Sequence, residues 1–224
     1  TMLLGVVAAG VIGLDEAGGT LAVPLLATQI LWINLLTDTA PALAMGFDPP
    51  PDDVMNLPPR GLHDRVIDRE MQVGIVYVGL VMAVVTLFAL DTTLPGGLVE
   101  GTGTITEART MAFTTLVLAQ LFNCFNARSD RVSAFHRLFT NPVLWIAIGI
   151  SLALQVAVVY VPFLNDAFDT VAIDVTDWLL CIGLASAVLW ANELRKLFTR
   201  WRTDAAGHAS PRRPAVDPKR STWT

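Results

Sequence analysis

The 224 residues are 53% hydrophobic and 16% charged, with a mean hydropathy of +0.54. A soluble domain carries about 25% charged residues, so these values exclude an ordinary water-soluble globule. The net charge of −5 decides little, because the distribution of sign along the chain matters more than the sum; nucleic acid is not an expected partner.

Taken in chain order, the apolar residues gather at 1–14, 23–47, 71–90, 110–126, 142–161 and 178–198. The last five match the run of about 20 residues that a helix needs to cross roughly 30 Å of hydrocarbon. The first, about 14 residues or some 21 Å of helix, is too short to span. It reads as a re-entrant piece or, preferably, as part of a helix whose start lies upstream of Thr1. The opening Thr1-Met2-Leu3-Leu4 has neither the basic region nor the small-residue cleavage site of a signal peptide. The expected fold is therefore all-α: a polytopic membrane bundle of five full transmembrane helices plus a truncated N-terminal one, over residues 1–200. Residues 201–224, rich in Pro, Arg, Ser, Asp and Ala, are expected to form a disordered tail.

The connections alternate in charge. The link at 48–70 contains Arg60, Arg65 and Arg69, the link at 127–141 contains Arg128, Arg131 and Arg137, and Arg195, Lys196, Arg200 and Arg202 follow Glu193. The links around Asp15, at 91–107 and at 162–177 hold acids; on that side only Arg109 falls near a membrane end. The positive-inside rule puts the basic links and the C-terminus in the cytoplasm. Cys124 and Cys181 lie inside apolar runs and read as small packing residues rather than a disulfide or zinc framework. His63, His136 and His208 fall in the basic stretches and do not read as metal ligands.

The run at 23–47 carries the chemistry. Asp38 lies near its middle, where an ionised carboxylate costs several kcal/mol unless it is paired or faces water. Asn34, Thr37, Asp38 and Pro41 stand at i, i+3, i+4 and i+7, one face of an α-helix. Pro41 has no N–H, so the carbonyl of Thr37 loses its helical partner and the helix is broken there. Backbone freed at membrane depth must find protein, water or an ion. An amide, a hydroxyl, a carboxylate and free carbonyls suit a hard cation that takes six to eight oxygens. The bland alternative is that Asp38 pairs with a basic side chain, but no Lys or Arg lies within a segment core. In the run at 110–126, Gln120 and Asn123 share a face. Gln120 reads equally as a ligand or as an interhelical hydrogen-bonding amide; Asn123 and Gln155 read as packing amides, and Asn126 as interfacial.

Gln29-Ile-Leu-Trp-Ile-Asn34-Leu-Leu-Thr37-Asp38, followed by Pro41-Ala42 and Gly46-Phe47-Asp48-Pro49-Pro50, resembles the sixth transmembrane helix of P-type calcium pumps. Met55-Asn56-Leu57-Pro58-Pro59-Arg60 resembles the family's next cytoplasmic loop. Gln120-Leu121-Phe122-Asn123 resembles the eighth helix, and the stretch from Trp190 to Phe198 the end of the tenth. The resemblance covers residues 1–200 in register. It implies an ATP-driven cation translocase of which this is the C-terminal transmembrane part, from half of the fifth helix through the tenth. Asn34 and Asp38 match calcium ligands, and Thr37 matches a further ligand of the two-site pumps. Gln120 stands where the sarcoplasmic reticulum type has a ligating Glu and the plasma-membrane type a Gln, which implies a single calcium site and a plasma-membrane location. Calcium is the implied transported ion, exchanged for protons. Magnesium and ATP belong to domains absent from this chain: the phosphorylated Asp-Lys-Thr-Gly-Thr motif, the nucleotide-binding domain and the actuator have no counterpart in it. The chain is expected to have no catalytic residues of its own. Its expected partners are the lipid bilayer and the missing N-terminal transmembrane and cytoplasmic domains. The competing readings are a pump of the same family for sodium, manganese or protons, a non-catalytic membrane regulatory subunit, and a passive channel. The last would need oligomers to build a selectivity ring.

Overall fold

The computed structural model describes residues 25–48, 69–94, 99, 101–127 and 139–209. The segment at 1–14 and the tail beyond 209 lie outside them. The described residues form an all-α bundle. The first span is divided into α1 (Ala27–Ile33), a π-helical turn (Asn34–Thr39) and α2 (Ala40–Met45). Then come α3 (Arg69–Asp91), α4 (Ile105–Ala127), α5 (Pro142–Tyr160), the short α6 (Pro162–Phe168) and α7 (Val175–Ala209). Residues 201–209, expected in a disordered tail, continue α7 instead.

The stretches Met71–Asp91, Pro142–Tyr160 and Val175–Thr199 are each long and apolar enough to cross a membrane. Their large apolar side chains face outward: Val73, Val76 and Leu80 on α3, Ile146 and Ile150 on α5, and Leu179, Leu194 and Leu197 on α7 are all exposed. A soluble fold would bury such residues; a lipid-facing one need not. α4 differs because it is enclosed. Every residue from 110 to 119 is buried, including Thr110, Thr114 and Thr115. A helix surrounded by protein can carry hydroxyls that a lipid-facing helix cannot afford to leave unpaired.

α4 packs between α3 and α7, which also touch each other. Little hydrophobic force drives apolar helices together in lipid, so they associate through close contact of small residues. Ala83, Ala89, Ala108, Ala112, Ala119 and Ala185, on these three helices, are fully buried. Gly74 extends the same logic: a Cβ there would come within 2.8 Å of the Arg195 guanidinium, so the glycine lets that side chain lie directly on α3. Beside it, the Tyr77 hydroxyl donates to the Ala191 carbonyl at 3.2 Å. Lys196 is buried, with Nζ 3.4 Å from both the Asn126 carbonyl and Glu193 Oε1. A cation at the last turn of α4 meets the negative end of the helix dipole. Asn126, expected at the interface, is itself buried and donates to the Val188 carbonyl.

Helix ends meet in two layers, as the alternating links require. At the acidic end, Arg109 pairs with Asp169 at 3.7 Å, which accounts for the one basic residue on that side. There too the Trp178 indole donates to the Tyr160 hydroxyl, which donates to the Ile173 carbonyl. At the basic end, Asn141 does double duty. Its Oδ1 caps α5 by accepting from the Leu144 amide, and its Nδ2 donates to the Ala44 carbonyl and to Asp48 Oδ1, both at 2.8 Å. Asn141→Ala removes the cap and leaves the end of α2 without its buried donor. It is expected to cost about 1–2 kcal/mol, read as a lower thermal midpoint of the full-length protein in detergent; an unchanged midpoint would mean the junction carries no stability.

Candidate functional site

The π-turn occupies residues 34–39, so it contains Asn34, Thr37 and Asp38. The break expected at Pro41 takes the form of a widened turn just before the proline, while α2 resumes at Ala40 with Pro41 in its first turn. Backbone at Ile33, Thr39 and Ala40 keeps right-handed helical dihedrals, so the chain does not change direction sharply. Isolated π-turns within α-helices are rare and concentrate at functional sites.

The widening changes which residues share a face. The expectation of one stripe through Asn34, Thr37, Asp38 and Pro41 assumed an unbroken α period. A turn closed from residue i to i+5 adds a residue and rotates everything after it. Accordingly Asn34 is exposed while Pro41 is buried. The Asn34 amide N–H still points back into α1, to the Ile30 and Leu31 carbonyls. Of Thr37 and Asp38 the structure describes the backbone, not the side chains.

The π-turn packs against α4. On that helix Gln120 and Asn123, both half-buried, line a cleft of about 430 Å³ together with Pro41 and Met45 of α2 and Met82 of α3. Gln120 is thus on the side of α4 that faces the divided span. Asn123, read from sequence as a packing amide, shares the same cleft. Gln155 does pack: it is fully buried, and its Nε2 donates to the Thr114 hydroxyl at 3.2 Å. Cys124 and Cys181 are free, buried thiols, as their apolar surroundings suggested. Among the described residues no three His, Cys, Asp or Glu side chains cluster as a metal site.

Three polar residues outside the expected set hold the divided span. Gln29 is fully buried; its Oε1 accepts from the Leu26 amide and its Nε2 donates to the Phe168 carbonyl, each at 3.0 Å. Asn141 holds the opposite end, as above. Between them the Ser151 hydroxyl of α5 donates to the Leu36 carbonyl, inside the π-turn, at 3.2 Å. The Asn141-Pro142 pair carries a readable helix-start signal, a capping asparagine followed by proline. Nothing in the sequence around Ser151 marks it.

The model for the C-terminus of cation-transporting ATPases matches residues 22–198. A calcium-transporting ATPase of Bacillus subtilis is 38% identical over 166 residues, covering 74% of this chain and 18% of that protein. Calcium-transporting ATPase 1 of Yarrowia lipolytica is 36% identical over 181 residues, covering 80% and 19%. Calcium-transporting ATPase type 2C member 1 of Homo sapiens is 32% identical over 188 residues, covering 84% and 20%. The chain spans about a fifth of the length of these curated relatives. Pro41→Ala supplies the amide that the π-turn lacks and should let the span close as a regular α-helix. An interior proline costs about 3 kcal/mol, so the thermal midpoint of the full-length protein should rise; a midpoint that falls would mean the widening does not originate with the proline.

Proposed function

Because the chain belongs to the cation-transporting ATPases, as the C-terminal membrane part of such a protein, we propose that it supplies one side of a calcium site and the scaffold around it. The single observation that carries this reading is the π-turn at 34–39 in the middle of a membrane span. It gathers an amide, a hydroxyl and a carboxylate into a few residues, next to a proline that takes one backbone donor away. Calcium prefers six to eight oxygen ligands in a flexible arrangement, and a widened turn offers side-chain and carbonyl oxygens together. The relatives named above are calcium-transporting ATPases, which favours calcium over sodium, manganese or protons.

In this reading Asn34, Thr37 and Asp38 bind from the turn and Gln120 binds from α4. Asp38 carries the charge. A bound divalent ion offsets the cost of holding a carboxylate at that depth; once the ion leaves, a proton offsets it instead. Proton counter-transport follows from this electrostatic requirement. Gln120 adds an oxygen without adding charge, which fits one ion per cycle. Phosphoryl transfer from ATP with magnesium takes place in domains that this chain does not include, and α3, α4 and α7 form the bundle against which those domains drive the site. The basic links lie on the cytoplasmic side of the plasma membrane, and so does the end of α7.

The test is ATP hydrolysis by the full-length protein in lipid, titrated with calcium, with and without Asp38→Asn. Calcium should stimulate turnover, and the substitution should cut the stimulated rate to less than about a tenth. Stimulation by another cation that still requires Asp38 would change the ion. Turnover indifferent to Asp38 would remove the site.

A further inference from the structure

In an i→i+5 ladder the carbonyl of Leu36 needs the amide of residue 41, and residue 41 is a proline. Leu36 is the midpoint of the divided span 27–45, and Ser151 is the midpoint of α5. At that depth no water stands ready to replace a missing donor. The Ser151 hydroxyl fills the role from a different helix, 3.2 Å away, and Ser151 is fully buried.

Ser151 differs from the serine and threonine hydroxyls that donate from within α4 and α7. A serine or threonine inside a helix ordinarily returns its hydrogen to a carbonyl three or four residues back. Thr110 donates to Thr106, Ser186 to Gly183 and Thr199 to Arg195 in this way. Ser151 instead donates across the helix interface, to the carbonyl whose i+5 partner is the proline. One turn further along the same face of α5, Gln155 reaches Thr114 of α4 rather than the divided span.

We propose that Ser151 is a positioning residue for the ion-binding turn. By holding the Leu36 carbonyl toward α5, its hydroxyl fixes the width of the π-turn and thereby the backbone that carries Thr37 and Asp38. Ser151 does not contact the ion; it sets the geometry in which the ion is met. The proposal rests on the reading of that turn as the calcium site. Its distinctive consequence is a change in apparent ion affinity without a matching change in maximal rate, since the helices that transmit the cycle are left as they were.

The experiment is calcium-stimulated ATPase activity of the full-length protein in lipid for wild type, Ser151→Ala, Ser151→Cys, Gln155→Leu and Asp38→Asn. Ser151→Ala should raise the half-saturating calcium concentration about five- to tenfold, the effect of one lost hydrogen bond, with maximal rate within about twofold. Ser151→Cys keeps the size with a weaker donor, so its shift should be smaller. Gln155→Leu, equally buried on the same helix, should leave the calcium dependence unchanged. If Ser151→Ala shifts calcium dependence by less than twofold, or Gln155→Leu shifts it equally, Ser151 is a packing residue and the proposal is overturned. Should Ser151→Ala fail to reach the membrane, Ser151→Cys decides by the same comparison with Gln155→Leu. If Asp38→Asn retains calcium-stimulated turnover, the calcium-site reading fails first and the positioning role falls with it; loss in Asp38→Asn with no shift at Ser151 overturns the positioning role alone.

Discussion

A backbone carbonyl at the middle of a bilayer has no water to accept a bond from, and Pro41 puts this protein in the position of having one such carbonyl to provide for. Much of the bundle's arrangement around the first span follows from that constraint. The turn before the proline opens from α to π, and a neighbouring helix must then come close enough to lend a donor. α5 meets that requirement at Ser151. The same neighbourhood holds the span at two other heights: Gln29 reaches the end of α6 at the acidic end, and Asn141 reaches Ala44 and Asp48 at the basic end. At each height a side-chain donor meets a backbone carbonyl: that of Phe168, Leu36 or Ala44. The divided span is held at top, middle and bottom by polar contacts, where a regular helix would need only packing.

The other side of the bundle is built differently. α3, α4 and α7 meet through fully buried alanines and a glycine, with Phe113 and Val117 of α4 filling the core toward the first span. Small residues permit close backbone approach and dense dispersion contact, the main attraction left to helices in lipid. The buried Lys196 is spent on the end of α4 and on Glu193. Ionisable groups on this side stabilise helix ends, whereas Asp38 has no such duty in the sequence around it. The division separates a stiff three-helix scaffold from a span whose shape depends on a few individual hydrogen bonds.

The sequence was legible where the physics is local. Apolar run length gave the spans that start near residues 71, 142 and 178, and charge alternation agrees with the helix ends that meet, Asp48 with Asn141 and Arg109 with Asp169. Pro41 could be read as the origin of an irregularity, since a missing N–H is a property of one residue. What could not be read was where the freed carbonyl finds a donor, because that depends on the register of two helices more than a hundred residues apart. Ser151 sits in an apolar run, where a lone serine is expected to bond within its own helix. The stripe through Asn34 and Pro41 failed for a related reason: helical periodicity assumes a constant rise and rotation, and the proline alters both. α6 and the continuation of α7 to Ala209 carry little apolar periodicity, so run length did not reveal them.

A π-turn and a full break solve the same hydrogen-bonding problem with different mechanical consequences. A full break leaves two half-helices free to move separately and several carbonyls to satisfy. A π-turn with helical dihedrals on both sides keeps α1 and α2 continuous, so displacement of one is carried to the other. The Leu36 carbonyl, five residues before the proline, takes its donor from outside the span. Widening the turn therefore brings oxygens together without giving up the rod that carries them, provided that one external hydroxyl stays in place. That condition ties the shape of the first span to α5 more tightly than packing alone would, and makes one serine in an apolar helix the contact on which the local geometry turns.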